Sequence, residues 1–356
     1  LGEVLAVLAG DSGDEGSGHG SKLRVAGGDA ILRDRAVGSG TVVAVLAGGV
    51  GAARMLRGLS AATDPASIVA IVNTGDDSVM HGLHISPDID TVTYTLAEAI
   101  DPERGWGLRD ESWRAMESLA RYTPFRPGDS RAGGTWFNLG DRDLATHLYR
   151  TGRLAEGATL STVTAEIASA WGLVQRIIPM SDGPVRTRVL VGSEWLDFQE
   201  YFVGQRHSVS VREVRFDGVT EASVHPLAAE AIGAEPIVIA PSNPIVSIGP
   251  ILSLPGVRNT LVRRRSSVVG VSPIVAGAAL KGPADRMLDE LGHESSVVGV
   301  ARLYAPFCGT LVIDERDADR VAEVEDCGVR CVVTDTVMKT PAIAKALAQT
   351  VLECVR

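Results

Sequence analysis

The chain has 356 residues, 45% of them hydrophobic and 22% charged, which is ordinary for a globular protein with a substantial core. Its formal net charge of -10 argues against a general nucleic-acid binder, because such proteins need a basic surface to displace counterions from phosphates. No apolar run reaches the roughly 18–20 residues of a membrane span. Cys308, Cys327, Cys331 and Cys354 make no zinc-type set, so reduced thiols in a cytoplasmic protein are expected.

Residues 1–40 stand apart. The stretch 11–21 is rich in Gly, Ser, Asp and Glu and buries too little apolar surface to offset the entropy of ordering, so this segment is expected to be a poorly ordered extension. Order begins at residue 41, with 41–356 read as one catalytic domain. Residues 41–47 (TVVAVLA) are a continuous β-branched and apolar run, the pattern of a parallel strand buried on both faces. The turn Gly48-Gly49-Val50-Gly51 follows, then a helical pattern over 52–60 and a second buried strand over 67–72. Strand, glycine turn, helix and strand in so short a span predict a right-handed βαβ unit.

Glycines between a strand and a helix let backbone N–H groups approach phosphate oxygens, and the helix N-terminus adds partial positive charge. The turn is neither G-x-G-x-x-G nor a Walker A loop, and Arg54 is the nearby cation that could take a lysine's place. A turn with only a packing role is the plainer reading. The second strand ends in Asn73-Thr74-Gly75-Asp76-Asp77, followed by the His81–Thr91 stretch HGLHISPDIDT. Asp76, Asp77, Asp88 and Asp90 beside a phosphate site suggest Mg²⁺, which takes one or two carboxylates plus substrate phosphates. Turn formation and helix capping would also account for such aspartates. His81 and His84 read as a packed or hydrogen-bonding pair rather than metal ligands.

Helices are expected over 90–100, 111–121, 143–150 and 162–171, and strands over 186–191 and 195–201, with a smaller inserted subdomain within about 105–235. The loop Trp136-Phe137-Asn138, running on to Asp143, offers two aromatics, an amide and acids that could sandwich a planar ring; an aromatic core plug with Asp141 as a helix cap is the alternative. Residues 236–240 form another buried strand leading into Pro241-Ser242-Asn243-Pro244, a polar loop suited to a base or phosphate. Arg263-Arg264-Arg265 reads as a solvated face. The hexapeptide SSVVGV occurs at 266–271 and again at 295–300, and both copies read as buried strands; 310–314 and 329–334 are further strands, and 341–355 is the last helix. The alternation predicts an α/β fold with a doubly wound, mostly parallel, Rossmann-like sheet.

Taken together, GGVGAARMLRGL (48–59), NTGDD (73–77), HGLHISPDIDT (81–91), WFNLGDRDLATHLYR (136–150), IIPMSDGPVRT (177–187), FQEYFV (198–203) and PSNPIVSIGPILSLPG (241–256) resemble the 2-phospho-L-lactate transferase family, CofD in archaea and FbiA in actinobacteria. The resemblance runs from residue 41 nearly to the C-terminus and is nearer to the actinobacterial branch. It implies an Mg²⁺-dependent step in coenzyme F-420 biosynthesis. A phosphoenolpyruvate or phospho-lactate group passes from an enolpyruvyl- or lactyl-diphospho-5'-guanosine to the deazaflavin Fo, and GMP is released. The family's deazaflavin-binding positions fall on Asp90 and Asn138. At Asp182-Gly183-Pro184 the chain departs from the two acids that family members often carry before the proline.

The expectation is therefore a diphosphate over Gly48, Gly49 and Gly51 with Arg54, Asn73 and Thr74 close by, and Mg²⁺ on Asp88 and Asp90 with Asp76 and Asp77 as further candidates. Asp90 would orient or deprotonate the attacking hydroxyl, and Ser242 and Asn243 would meet the guanosine. A homodimer is expected for such a fold. A dinucleotide-dependent Rossmann oxidoreductase and a non-catalytic deazaflavin- or nucleotide-binding protein are the rival readings.

Overall fold

The computed structural model describes residues 42–127, 130 and 136–355; the expected N-terminal extension, residues 1–40, lies outside them. The centre is a seven-stranded sheet whose neighbouring strands are all parallel. In chain order the strands of the molecule are β1 (Val43–Ala47), β2 (Ile68–Val72), β3 (Ser78–Met80), β4 (Leu83–Ile85), β5 (Arg176–Pro179), β6 (Arg186–Val191) and β7 (Glu194–Asp197). They continue with β8 (Val211–Asp217), β9 (Ile237–Ile239), β10 (Val268–Val271), β11 (Ile274–Val275), β12 (Ala278–Ala279), β13 (Thr310–Asp314) and β14 (Arg330–Thr334). The main sheet has the order β14-β13-β10-β9-β1-β2-β5.

Alternate residues of β1 serve different cores. Ala44 and Leu46 pack into one apolar cluster, whereas Val43, Val45 and Ala47 pack into the other. A period of two on a strand buried on both sides requires apolar residues at every position, hence the unbroken run in the sequence. Each buried Val, Ile or Leu contributes about 1.5–3 kcal/mol. Helix α1 (Gly49–Ala62) returns along one face beside the last helix; a Cβ at Gly58 would lie 2.3 Å from the Ala344 carbonyl oxygen, so the two backbones cross in contact. Further helices used below are α2 (Pro87–Leu96), α3 (Asp143–Ala155), α4 (Val297–Tyr304) and α5 (Pro341–Cys354).

The chain builds β1, β2 and β5 outward to one side, then returns to add β9, β10, β13 and β14 on the other. The loops leaving β1 and β9 therefore diverge, and the crevice between them is the topological switch point of the sheet. A separate antiparallel sheet, β7-β6-β8, lies in the stretch expected to hold an inserted subdomain, although β5 from that stretch is the edge of the main sheet.

Three local expectations are corrected. The second SSVVGV copy is not a strand but the start of α4: Ser296 Oγ accepts from the N–H groups of Val298 and Gly299, and this cap commits the β-branched run to a helix. The first copy ends as β10, held between β9 and β13. The strand expected over 195–201 stops at Asp197 and gives way to a π-helical turn, Glu200–Gly204. Of the three arginines expected as a solvated face, Arg263 is exposed but the other two are not free in solvent. Arg264 donates to the carbonyls of Ile232, Ala234 and Glu235, and Arg265 to those of Ala305 and Gly328, so both tie down chain segments ending in unpaired carbonyls.

Candidate active site

At the switch point, the glycine turn is pinned from two directions. The Gly48 N–H donates to Ser242 Oγ at 3.2 Å, and the Gly49 N–H donates to Asp88 Oδ1 at 2.8 Å. A Cβ on Gly48 would lie 2.7 Å from Ser247 Cβ and 2.9 Å from Asp88 Oδ2; one on Gly51 would lie 2.1 Å from the Pro241 carbonyl oxygen. Gly49 has φ +73°, a conformation that side chains disfavour. The glycines thus admit neighbouring loops, as the packing reading supposed. They also leave the open start of α1, at Val50 and Gly51, facing the cavity.

That cavity measures about 710 Å³ and runs from the strand-end loops to the aromatic side chains near the antiparallel sheet. Its floor is acidic. Asp88, in the first turn of α2, accepts from Gly49 through one oxygen and from Asn73 Nδ2 (2.9 Å) through the other. Burial nevertheless lifts its carboxyl to about 6 against the lowering effect of those bonds. Asp76 is raised well above the usual range by burial, then by the charges of Asp88 and Asp77, and its Oδ1 has no hydrogen-bond partner among the described residues. Asn73 does not face the cavity; its side chain bridges the Gly75 N–H and Asp88. Thr74 is buried and outside the cavity lining, its hydroxyl unpartnered among the described residues.

Asp77 points elsewhere. It accepts from Ser86 Oγ at 2.7 Å and lines a separate small recess with Arg186 and Asp197, where burial pushes it up to about 8. Asp90 does line the cavity, but both of its oxygens accept from the fully buried guanidinium of Arg150 on α3. His147 stands between Asp90 (3.7 Å) and Asp143 (3.3 Å), and Tyr94 donates to Asp143 at 2.6 Å. Burial raises Asp143, yet His147 and Tyr94 outweigh it and hold the carboxyl below its ordinary value. Among the described residues, no three His, Cys, Asp or Glu side chains gather as a metal-binding group. Asp76 and Asp88 line the cavity as a buried acidic pair, with Asp76 Oδ1 open among the described residues, a donor set that suits a hard cation completing its shell from substrate phosphate and water.

The remaining expected residues divide. Asn138 and Phe137 line the cavity; Trp136 does not, packing edge-on to Phe137 with ring centroids 5.8 Å apart. Asp141 accepts from the N–H groups of Arg114 and Ala115, the capping role considered for it, although on the helix Arg114–Ala120. Ser242 and Asn243 both line the cavity, but the side-chain Oδ1 of Asn243 is used within its own loop, accepting from the N–H groups of Ile245 and Val246. Asp182 accepts from Ser161 N–H and Oγ at the start of a helix. His81 and His84 sit on the β3–β4 hairpin, outside the cavity lining.

Sequence reasoning missed the wall opposite the floor. Phe198 and Phe202 stack at 5.6 Å beside the π-helical turn, and the stretch 336–338 approaches from beyond β14. Arg54, Arg104, Trp106 and Lys281 form the rim. Arg104 pairs with Asp101 at 2.9 Å and lies over the rings of Trp106 and Trp113.

Residues 43–351 match the family described as 2-phospho-L-lactate transferase CofD. The phosphoenolpyruvate transferase of Streptomyces griseus is 44% identical over 319 residues, covering 87% of this chain and 97% of that protein. The Mycolicibacterium smegmatis protein of the same name is 40% identical over 314 residues, covering 82% and 94%. A crystal structure of a Bacillus halodurans protein superposes with TM-score 0.56 at 16% identity, covering 88% of this chain and 99% of that one, a likeness of fold. No helix among the described residues is long and apolar enough to cross a membrane. An all-parallel sheet with its cavity at the switch point, together with a family match across almost the whole described chain, leads to one assignment: the chain belongs to the 2-phospho-L-lactate transferase CofD family and is a transferase.

Proposed function

We propose that the protein transfers a phosphoenolpyruvate group from enolpyruvyl-diphospho-5'-guanosine to the deazaflavin Fo, releasing GMP, as a cytoplasmic homodimer. The observation that carries this reading is a single cavity joining the open start of α1 and the Asp76–Asp88 pair to an aromatic wall. Phosphoryl transfer needs positioning and charge neutralisation more than covalent help, and these parts supply both. The names of the relatives favour the enolpyruvyl over the lactyl donor.

In this reading the diphosphate lies at Val50 and Gly51, because the Gly48 and Gly49 amides are already engaged. Asp88 and Asp76 would hold Mg²⁺, which when bound offsets the negative charge of the diphosphate. Asn73 and the Gly49 amide fix Asp88 so that it presents a set geometry. Asp90, kept in place by Arg150, orients the ribityl hydroxyl of the acceptor and receives its proton. Phe137, Phe198 and Phe202 cover the flat ring, Asn138 meets its edge, and Ser242 borders the guanosine end.

Mass spectrometry after incubation with Fo, Mg²⁺ and each donor in turn tests this. The expected result is GMP and an enolpyruvyl-phospho-deazaflavin, formed only when all three are present. GMP release that ignores Fo would sink the proposal. Asp90→Asn is expected to abolish transfer, with some loss of stability because it leaves the buried Arg150 without its carboxylate, and unchanged GMP release would remove Asp90 from the reaction.

A further inference from the structure

The cavity is electrically polarised, acidic on its floor and cationic on its rim, and the rim carries charge that the transferase reading leaves unused. Lys281 lies on the loop between β12 and the helix Ala284–Glu290, some 230 residues from the glycine turn. Its Nζ lies 2.8 Å from where a Cβ on Gly105 would be, and the next nearest atoms there belong to Val50 in the first turn of α1. A lysine from a distant loop therefore stands over the helix start where the sequence has no phosphate-loop lysine of its own.

Among the described residues its one hydrogen bond is a long one, 3.4 Å, to the Arg104 carbonyl oxygen. Among the described residues neither Lys281 nor Arg54 forms an ion pair with a carboxylate, in contrast to Arg104 with its Asp101. Burial, and then the neighbouring Arg54 guanidinium, hold the Lys281 ammonium below the ordinary lysine range. Two adjacent cations facing a cavity repel each other until an anion lies between them. Gly105, at φ +76°, lies directly under the ammonium, and a side chain there would occupy its place.

We propose that Lys281 and Arg54 together form the subsite for the carboxylate of the transferred acid. This rests on the transferase reading and adds to it the group that recognises the acid rather than the nucleotide. The donor carries its anions in series, two phosphates and then the carboxylate. The floor carboxylates repel a bare carboxylate, so the acid end turns to the rim. Held there, it anchors the donor on the side away from the guanosine and aligns the β-phosphorus with the acceptor hydroxyl.

Equilibrium titration of the full chain, in Mg²⁺, with GDP, with Fo and with the acid-bearing guanosine diphosphate diester separates the possibilities. Lys281→Met is expected to weaken the diester by roughly ten- to a hundredfold, the range for losing one charged hydrogen bond, with GDP and Fo within about twofold of wild type. Lys281→Arg keeps the charge and restores most of the diester affinity. An equal loss for GDP would move Lys281 to the phosphates and overturn the carboxylate assignment, as would unchanged diester binding. Failure of the wild-type chain to turn over diester and Fo would instead remove the transferase reading itself.

Discussion

Asp88 on the floor and Lys281 on the rim face the same cavity, yet their surroundings have little in common. Asp88 is buried and each of its oxygens is fixed by a donor from another loop, Gly49 on one side and Asn73 on the other. Lys281 is exposed on a short loop with one long hydrogen bond. The floor has had its geometry set during folding, whereas the rim keeps rotamer freedom that a ligand must remove. The contrast predicts that floor changes act on stability and turnover together, and rim changes on donor binding alone.

The largest expected effect is at Arg150. Arg150→Met leaves Asp90 buried with no cation and should lower stability by about 3–5 kcal/mol, measured by urea unfolding. A loss as small as that of Arg54→Met would mean that floor and rim are equally loose. Next is Asp88→Asn, expected to reduce GMP release by roughly a hundredfold and to raise the Mg²⁺ concentration needed for half-maximal rate. A normal Mg²⁺ requirement in that variant would exclude Asp88 from the metal site.

A third test uses protons. Asp88 and Asp77 have folded-state values of about 6 and about 8, above their ordinary 3.8. The folded chain therefore binds more protons than the unfolded one in this window, and the stability these acids contribute is complete below about pH 4. It is lost as pH rises through about 6 for Asp88 and about 8 for Asp77. Mg²⁺ competes with the proton on Asp88, so its stabilising shift in melting temperature should be larger at pH 8 than at pH 5. An equal shift at both values would detach the metal from Asp88. The smallest effect belongs to Arg54→Met, expected to raise the donor KM about tenfold with melting temperature unchanged; added salt should weaken donor binding in wild type more than in this variant.

Much of this architecture could be read from the sequence. The strand at 43–47, its glycine turn and the acids after β2 follow from local signals: unbroken apolar runs, glycines at a βα junction, and carboxylates at a strand end. What stayed hidden depends on pairings between distant residues. Arg150 meets Asp90 across 60 positions, and nothing in either neighbourhood announces the other. Lys281 lies in a small-residue loop without periodicity. Phe198 falls in a stretch, 195–201, that reads as a strand, and Phe202 just beyond it, where a π-helical turn takes over. The two copies of SSVVGV make the same point, since one sequence becomes a strand beside β9 and a helix where Ser296 and its neighbours provide a cap.

The strand order has one more consequence. The strands on one side of the crevice, β9, β10, β13 and β14, all come from residue 237 onward, whereas β1, β2, β5 and the aromatic wall come from before it. The cavity is thus assembled from two consecutive segments of the chain, with the switch point as the seam. A recombination event near residue 236 would exchange one bank of the crevice while leaving the other intact. Chimeras of related transferases joined there would exchange Ser242 and Lys281 while leaving Arg54 and the acceptor side in place, so they separate the two halves of the acid subsite.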